Sequence, residues 1–168
     1  MNTPSLGVAV VTGASSGIGG VYADRLARRG YDLLLVARNT RRMDKVAERL
    51  ANEARRKIEV VTADLANQSD VARLERILRE DPRITLLVNN AGVGATTPLL
   101  NSDVADMSRM IALNVEVLTR LTYALVPALV KRGSGAIINI GSIVAVAPEL
   151  VNGVYGGFCG CFQPVTAA

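Results

Sequence analysis

Five short apolar runs alternate along the chain with segments of helical spacing, and this alternation constrains the fold more than any other feature. The runs are of strand length and rich in β-branched residues or leucine; they cover 7–12, 32–37, 58–63, 84–89 and 135–141. Helical spacing occupies 17–29, 41–55, 68–80 and 103–131. Because such alternation builds right-handed βαβ units, we predict an α/β fold, a doubly wound parallel sheet of five strands of Rossmann type.

The apolar residues are mostly aliphatic. They make up 49% of the 168 residues, yet there is no tryptophan and there are two phenylalanines. Aliphatic strands buried on both faces are typical of parallel sheets, and this amount of apolar material is enough for one core. We therefore predict a single domain.

No targeting, membrane or metal signal is visible in the sequence. The N-terminus has no basic region, and the longest apolar stretch, 135–148, is interrupted by Asn139 and Ser142. We expect a soluble, cytoplasmic protein with no membrane partner. With two cysteines and no histidine, we also expect neither a metal site nor a disulfide framework.

The positive charge is concentrated in one part of the chain. The formal net charge is +4, and residues 25–57 hold eleven Lys/Arg against four Asp/Glu. One interpretation is a pair of solvated helix faces; the other is an anionic partner. Aromatic residues do not interleave with the basic ones, so we expect no nucleic acid, and an anionic partner would be a phosphorylated small molecule.

A glycine-rich turn joins the first predicted strand to the first predicted helix. Gly13, Gly17 and Gly19 lie in VVTGASSGIGG. Glycine allows the tight turn and lets the backbone approach a pyrophosphate, which then lies against helix N–H groups. Since the motif directly follows a strand and opens a helix, it predicts a dinucleotide site.

Four further motifs follow in a fixed order and extend this interpretation. They are Asn89-Asn90-Ala91-Gly92, Asn114 within the long helix, Gly141-Ser142 and Tyr155. Together with TGASSGIG they resemble the short-chain dehydrogenase/reductase family over residues 7 to about 157. The resemblance implies NAD(P)-linked hydride transfer between a small-molecule alcohol and a carbonyl, in relatives that are usually homo-oligomeric.

The resemblance also implies which residues bind the cofactor. Ala37 stands where NAD-preferring members carry an aspartate, and Arg38 could bind a 2′-phosphate, so we predict NADP(H), with NAD(H) as the alternative. An ordinary solvated Arg38 and a simple turn carboxylate at Asp64 are the competing interpretations. The implied cofactor-binding residues are Gly13, Ser15, Ser16, Gly17, Ile18, Gly19, Arg38, Asp64, Asn90, Ala91 and Gly92.

Three residues match the catalytic positions of the family. By resemblance, Asn114 holds a water of the proton relay, Ser142 holds the substrate oxygen and Tyr155 gives or takes the proton. Tyrosine has an ordinary pKa of about 10, and the family lowers it with a lysine four residues later. Cys159 occupies that position here, so we expect impaired catalysis.

The last residues depart from the family pattern. Glycines and a proline beyond Pro148 disfavour a helix or a sixth strand. We therefore predict a nucleotide-binding domain over 1–155 and an atypical, unstructured tail over 156–168, and do not expect Cys159→Lys alone to restore activity. We interpret the chain as a truncated, frameshifted reductase; the alternatives are a non-catalytic binding or interaction module, or a gene remnant.

Overall fold

The computed structural model describes residues 4–95, 97–145 and 153–161. Its strands are β1 Val8–Thr12, β2 Asp32–Ala37, β3 Ile58–Thr62, β4 Ile84–Asn89 and β5 Ala136–Asn139. Its α-helices are α1 Gly17–Arg29, α2 Thr40–Ala54, α3 Gln68–Glu80, α4 Val104–Ile111, α5 Leu118–Arg132 and α6 Gly153–Cys161. A π-helical turn, Ala112–Val117, joins α4 to α5, and short 3₁₀ turns lie at Leu99–Asn101 and Ile143–Ala145.

The five strands form one parallel sheet in the order β3-β2-β1-β4-β5. In the centre of the sheet, Val10 of β1 pairs with Leu34 of β2 and Leu87 of β4. The prediction of a doubly wound α/β fold is confirmed. Because all strands run the same way, their carboxyl ends meet at one edge, which is where such sheets bind ligands.

Helices cover both faces of the sheet because successive strand residues point to opposite sides. Val10 belongs to the core beneath α3 and α5, which includes the fully buried Leu74 and Leu125. Val11 belongs to the other core, beneath α1 and α2, which includes the fully buried Met43. Burying one such side chain contributes about 1.5–3 kcal/mol, so the two cores stabilise the sheet from both sides.

The long helix predicted over 103–131 is observed as α4, the π turn and α5, and spans Val104–Arg132 without a break. Among the described residues, this helix alone has the length and apolar composition of a membrane span. Such a pattern is also produced by a helix that packs on a core. Leu121, Ala124 and Leu125 are buried against the sheet, so this face of the helix belongs to the core.

The tail is where the sequence expectation is wrong. Residues 153–161 form α6, so 156–161 are helical rather than unstructured. The reason is packing: Cys159 is buried and α6 contacts the 3₁₀ turn Ile143–Ala145, while within the helix Tyr155 packs edge-to-face on Phe158. Such contacts override the poor helix propensity of glycine. The remainder of the tail, 162–168, lies outside the described residues.

Candidate functional site

Two adjoining cavities lie at the carboxyl edge of the sheet. The β2–β3 cavity, of about 300 Å³, lies between the glycine turn and the ends of β2 and β3. The Tyr155 cavity, of about 230 Å³, lies between the end of β5 and α6. Both are lined by Ala91, Gly92 and Val93. The two cavities therefore share the chain segment that follows β4 as a common wall.

The glycine turn leaves the amino end of α1 open toward the β2–β3 cavity. Gly13 and Gly17 have φ of 67° and 56°, the left-handed region that glycine adopts without strain. Ser15 and Ser16 line the cavity, and the Ser16 side chain caps no N–H of the first helical turn. Helices α2, α3 and α4 do have such caps, from Asn39, Asn67 and Asp103. The free N–H groups and helix dipole of α1 favour an anion here.

Gly19 is required because the turn touches the chain after β4. A Cβ on Gly19 would lie 2.5 Å from Asn90 Nδ2 and 2.6 Å from the Gly13 carbonyl oxygen. The Asn90 amide in turn donates to the backbone oxygens of Thr12 and Gly13, at 2.9 and 3.3 Å. Asn90 thus braces the glycine turn, and Ile18 beside it lines the Tyr155 cavity.

Thr12 connects the same two segments, and sequence reasoning missed it. Its hydroxyl donates to Val88 O and accepts from the N–H groups of Asn90 and Ala91, at 3.0 to 3.2 Å. Thr12 is 1% exposed, so no water replaces these bonds. A polar residue at the end of an otherwise apolar strand was the available signal.

Arg38 lines the β2–β3 cavity at its β2 end. Together with Arg41 and Arg42 it is exposed, and across residues 4–95, 97–145 and 153–161 none of these three side chains has an ion pair or hydrogen bond. By contrast, Arg28 and Arg49 of the same basic region pair with Asp24 and Glu53. Of the basic region, Arg38 is therefore the residue that is both without an ion pair among the described residues and at the cavity.

Asp64 lines the cavity opposite Arg38, in the loop after β3. Its Oδ1 accepts from the Ala66 N–H at 3.0 Å, and the residue is exposed. The carboxylate therefore makes a local turn and still presents an acceptor to the cavity. The turn-carboxylate interpretation and the ligand-binding interpretation are compatible.

Asn114 lies in the π turn and lines the Tyr155 cavity. Its amide is held at both ends by one residue, since Oδ1 accepts from Val93 N at 3.0 Å and Nδ2 donates to Val93 O at 2.7 Å. A Cβ on Gly92 would lie 2.7 Å from Asn114 Oδ1. The π turn thus anchors the shared wall to the long helix.

A second amide network, also missed from the sequence, closes the base of the Tyr155 cavity. Asn89 Nδ2 donates to Asn139 Oδ1 at 3.0 Å and to Thr122 Oγ1 at 3.2 Å. These bonds join β4, β5 and α5. Asn139 was visible only as an interruption of an apolar run, because nothing local shows which strand lies beside it.

Of the two residues predicted to act on the substrate, Tyr155 lines its cavity and Ser142 lies outside both cavities. The Tyr155 ring faces Gly94, where a Cβ would be 3.6 Å from the ring. Ser142 is half-buried and its Oγ accepts from Val144 N at 3.4 Å, but it is not among the residues that line the two cavities. Of the predicted reactive pair, therefore, only Tyr155 lines this cavity.

Cys159 lies one helical turn after Tyr155 and lines the same cavity. Burial raises the pKa of its thiol, and a hydrogen bond with Tyr155 only partly opposes this. The neutral thiol brings no positive charge to Tyr155. Within the described ranges, no group of three or more His, Cys, Asp or Glu residues is arranged to hold a metal ion.

Comparison with known proteins places this geometry in a family. A profile described as short chain dehydrogenase matches residues 7–157. The chain belongs to this family. The resemblance predicted from the glycine turn, the NNAG segment and the residues that follow is thereby confirmed, and this member of the short-chain dehydrogenases carries the fold with cysteine in place of the lysine.

Solved structures of the family superpose closely on this one. A short-chain dehydrogenase from Sphingobium yanoikuyae in complex with NADPH is 46% identical, with a TM-score of 0.89 over 92% of this chain and 60% of that one. A bulky-bulky ketone specific alcohol dehydrogenase from Comamonas testosteroni is 44% identical, with a TM-score of 0.88 over 95% of this chain and 63% of that one.

Among curated sequences, an uncharacterized oxidoreductase of Staphylococcus epidermidis is 34% identical over 160 residues, which is 95% of this chain and 68% of that protein. A sulfoacetaldehyde reductase of Chromohalobacter salexigens is 37% identical over 89% of this chain and 60% of its own length. This chain thus spans 60% to 68% of the length of these relatives.

Proposed function

We propose that this chain binds NADP(H) across the two cavities, with the adenosine half in the β2–β3 cavity and the nicotinamide half in the Tyr155 cavity. The observation that carries the proposal is the exposed Arg38, without an ion pair in the described structure, at the β2 end of a cavity that also contains the open amino end of α1. The solved relative from Sphingobium yanoikuyae was crystallised with NADPH, which supports the same ligand here.

The residues present fit the phosphates of such a cofactor. Gly13 and Gly17 have positive φ, and no side chain could be added at Gly19 without displacing backbone. The backbone of the turn can therefore approach a pyrophosphate closely, and the N–H groups at the start of α1 are available to it.

The residue after β2 supports the phosphorylated form of the cofactor. Arg38 carries a fork of N–H donors that matches a phosphate, and the exposed Arg41 and Arg42 add positive charge. A charge-assisted contact of this kind contributes about 1.5–3 kcal/mol, so a preference for NADPH over NADH of at least about tenfold is expected.

The reaction supported best is the interconversion of a small alcohol and a carbonyl. A bound nicotinamide would supply or accept the hydride. Tyr155 would hold and transfer the proton at the substrate oxygen, and Asn114 would keep the shared wall in place. The family resemblance assigns Ser142 to binding that oxygen. The relative from Comamonas testosteroni, named for bulky ketones, supports a carbonyl substrate class.

We further propose that catalysis is weak in this chain because Cys159 brings no cation to Tyr155. Positioned acid–base assistance typically contributes about 10²–10⁴-fold to the rate. This observation favours a second candidate function, a dinucleotide-binding module without turnover. Cytoplasmic location and assembly with further copies of the chain remain predictions.

Fluorescence titration with NADPH and NADH, followed by turnover on a panel of carbonyl compounds, tests these proposals. Binding with turnover supports an enzyme, and binding alone supports the module. Arg38→Ala should remove the preference for NADPH and leave the NADH affinity nearly unchanged. The matched control is Arg76→Ala, since Arg76 of α3 is also exposed and does not line the cavity. Equal binding of the two cofactors by the unmodified chain would contradict the Arg38 assignment.

A further inference from the structure

Asp70 of α3 makes contacts outside its own helix that capping does not explain. It is the third residue of α3, and the N-cap function is already performed by Asn67, whose Oδ1 accepts from the N–H groups of Ser69 and Asp70. The Asp70 side chain instead points back to the loop after β3. Its Oδ2 accepts from Asp64 N at 2.8 Å.

Arg73 completes a clamp on the same loop. One Arg73 nitrogen, Nη2, donates to Asp70 Oδ1 at 2.6 Å and to the Thr62 carbonyl oxygen at 2.7 Å. Asp70 and Arg73 therefore hold the last residue of β3 and the backbone of Asp64 together. The hydrogen bonds from Arg73 and the Asp64 N–H lower the pKa of Asp70, which keeps the carboxylate charged at neutral pH.

This segment is also held by other contacts, since Asn67 N donates to Asp64 O at 2.8 Å and both Ala63 and Leu65 are buried in the core. In the described sheet β3 is an outer strand, paired with β2. Beyond its end, Ala63 N donates to Ala37 O at 3.2 Å, and Ala37 directly precedes Arg38. Residues 63–66 all line the β2–β3 cavity. The clamp is therefore one of the contacts that position the cavity wall formed by residues 63–66.

We infer that Asp70 is a positioning residue for dinucleotide binding: through its bond to the Asp64 N–H and its pair with Arg73, it holds the Asp64 carboxylate and the 63–66 wall where the adenosine half binds. The inference rests on the proposed function, because it assigns a role within that same cavity. Asp70 itself does not line the cavity, so it acts through the loop.

The chain contains a closely matched control. Asp106 is the third residue of α4, in a first turn capped by Asp103, and pairs with Arg109 three residues later. It has the same helix position and the same ion pair as Asp70, and it lines neither cavity. Asp106→Ala therefore removes an equivalent ion pair without touching the loop after β3.

Calorimetric titration with 2′,5′-ADP, which contains the adenosine, the 2′-phosphate and one 5′-phosphate but no nicotinamide half, tests the inference. Asp70→Ala should weaken binding about three- to tenfold, the loss expected when one or two hydrogen bonds that order the site are removed. Asp70→Asn keeps one oxygen for the Asp64 N–H and should restore part of the affinity. Asp106→Ala should bind like the unmodified chain.

A double-mutant cycle distinguishes positioning from general destabilisation. If Asp70 acts through Asp64, Asp70→Ala should cost little affinity in a chain that already carries Asp64→Ala. Hydrogen exchange without ligand should show faster exchange of the Asp64 N–H in Asp70→Ala and not in Asp106→Ala. This inference alone would be overturned by unchanged 2′,5′-ADP affinity in Asp70→Ala, or by fully additive losses of affinity in the double mutant. If the unmodified chain binds neither NADPH nor 2′,5′-ADP, the proposed function is overturned and this inference with it.

Discussion

The β1–β3 half of the molecule and its Tyr155 half, formed by β4, β5 and α6, differ in how completely they are built. Every residue of β1 is buried, whereas both end residues of β5 are exposed. The β2–β3 cavity combines a free helix terminus, the exposed Arg38 and a loop held by Asp70. The Tyr155 cavity contains a tyrosine with a buried, neutral thiol where the family carries a cation.

In the proposed function, cofactor binding and acid–base chemistry therefore depend on different features of the same fold. The glycine turn proposed to bind phosphate acts through its backbone conformation and the dipole of α1. Both are retained as long as the sheet is folded. Acid–base chemistry depends on one charge placed one helical turn from Tyr155. A single substitution can therefore remove the cation that acid–base chemistry needs and leave the glycine turn intact.

The substitution with the largest expected effect places a cation beside Tyr155 and so removes the difference between the two halves. Since residues 153–161 form a helix, Cys159→Lys would place an ammonium group one turn from Tyr155, which removes a missing helix as a reason to expect that lysine alone fails. We expect carbonyl-dependent NADPH oxidation to rise about 10²-fold or more, measured as loss of absorbance at the nicotinamide band. Cys159→Met, a neutral variant, should give no rise, and a gain that survives Tyr155→Phe would contradict the assignment.

A second substitution tests the hydrogen bonds of Thr12, which connect β1 to β4 and the residues after it. Thr12→Val keeps the shape of the side chain and removes the hydroxyl shared by Val88, Asn90 and Ala91. Two buried N–H groups lose their acceptor, so the free energy of unfolding should fall by about 2–3 kcal/mol in urea denaturation. Thr12→Ser keeps the hydroxyl and should recover most of the loss. Equal stability of the valine and threonine forms would show that water replaces Thr12.

A third substitution tests how closely the backbone packs at Gly19, in comparison with Gly20. Gly19→Ala places a methyl group against Asn90 Nδ2 and the Gly13 carbonyl, so we expect a loss of about 1–2 kcal/mol in unfolding free energy and weaker NADPH binding. Gly20→Ala is the control, because its Cβ would lie 3.6 Å from Ala14 O, an ordinary contact. That variant should gain stability through its better helix propensity. Identical behaviour of the two variants would disprove the close approach.

The smallest effect concerns the helices beneath both halves. An Arg120 hydrogen bond lowers the pKa of Glu75 below its ordinary 4.5, despite partial burial that acts the other way. A carboxyl whose pKa is lower in the folded state stabilises the fold above its unfolded pKa and loses this contribution as pH falls through the folded pKa. Glu75→Gln should therefore cost about 1 kcal/mol at pH 7 and progressively less below pH 4.5.

Thermal unfolding from pH 7 to pH 3 measures this convergence. Glu80→Gln serves as the control, since Glu80 lies on the same helix, is exposed and has no ion pair among the described residues. Its unfolding temperature should follow that of the unmodified chain at every pH. A constant gap between Glu75→Gln and the unmodified chain down to pH 3 would refute the ion-pair explanation.

Most of the fold was predictable from local pattern. The bounds predicted for β2, β4, α1 and α3 agree with the structure residue for residue, because strand-length apolar runs and helical spacing report directly on which face is buried. The cavity positions of Gly13, Arg38 and Asp64 were also predictable, since each directly follows a strand. The prediction for 156–161 was wrong because glycine propensity is a local quantity, and packing of Tyr155, Phe158 and Cys159 outweighs it.

The sequence by itself determined the alternation of strands and helices, the glycine turn, the cation after β2 and the absence of a lysine at position 159. Only the tertiary structure decided which side chains brace the site. Thr12 meets Asn90 across 78 residues, Asn114 meets Val93 across 21, and Asp70 turns back to Asp64. The physical reason is that the first two bonds join distant segments, and which segments lie side by side is set by burial of the whole sheet rather than by any local pattern. The Asp70 bond spans only six residues and is set by the path of the loop between β3 and α3.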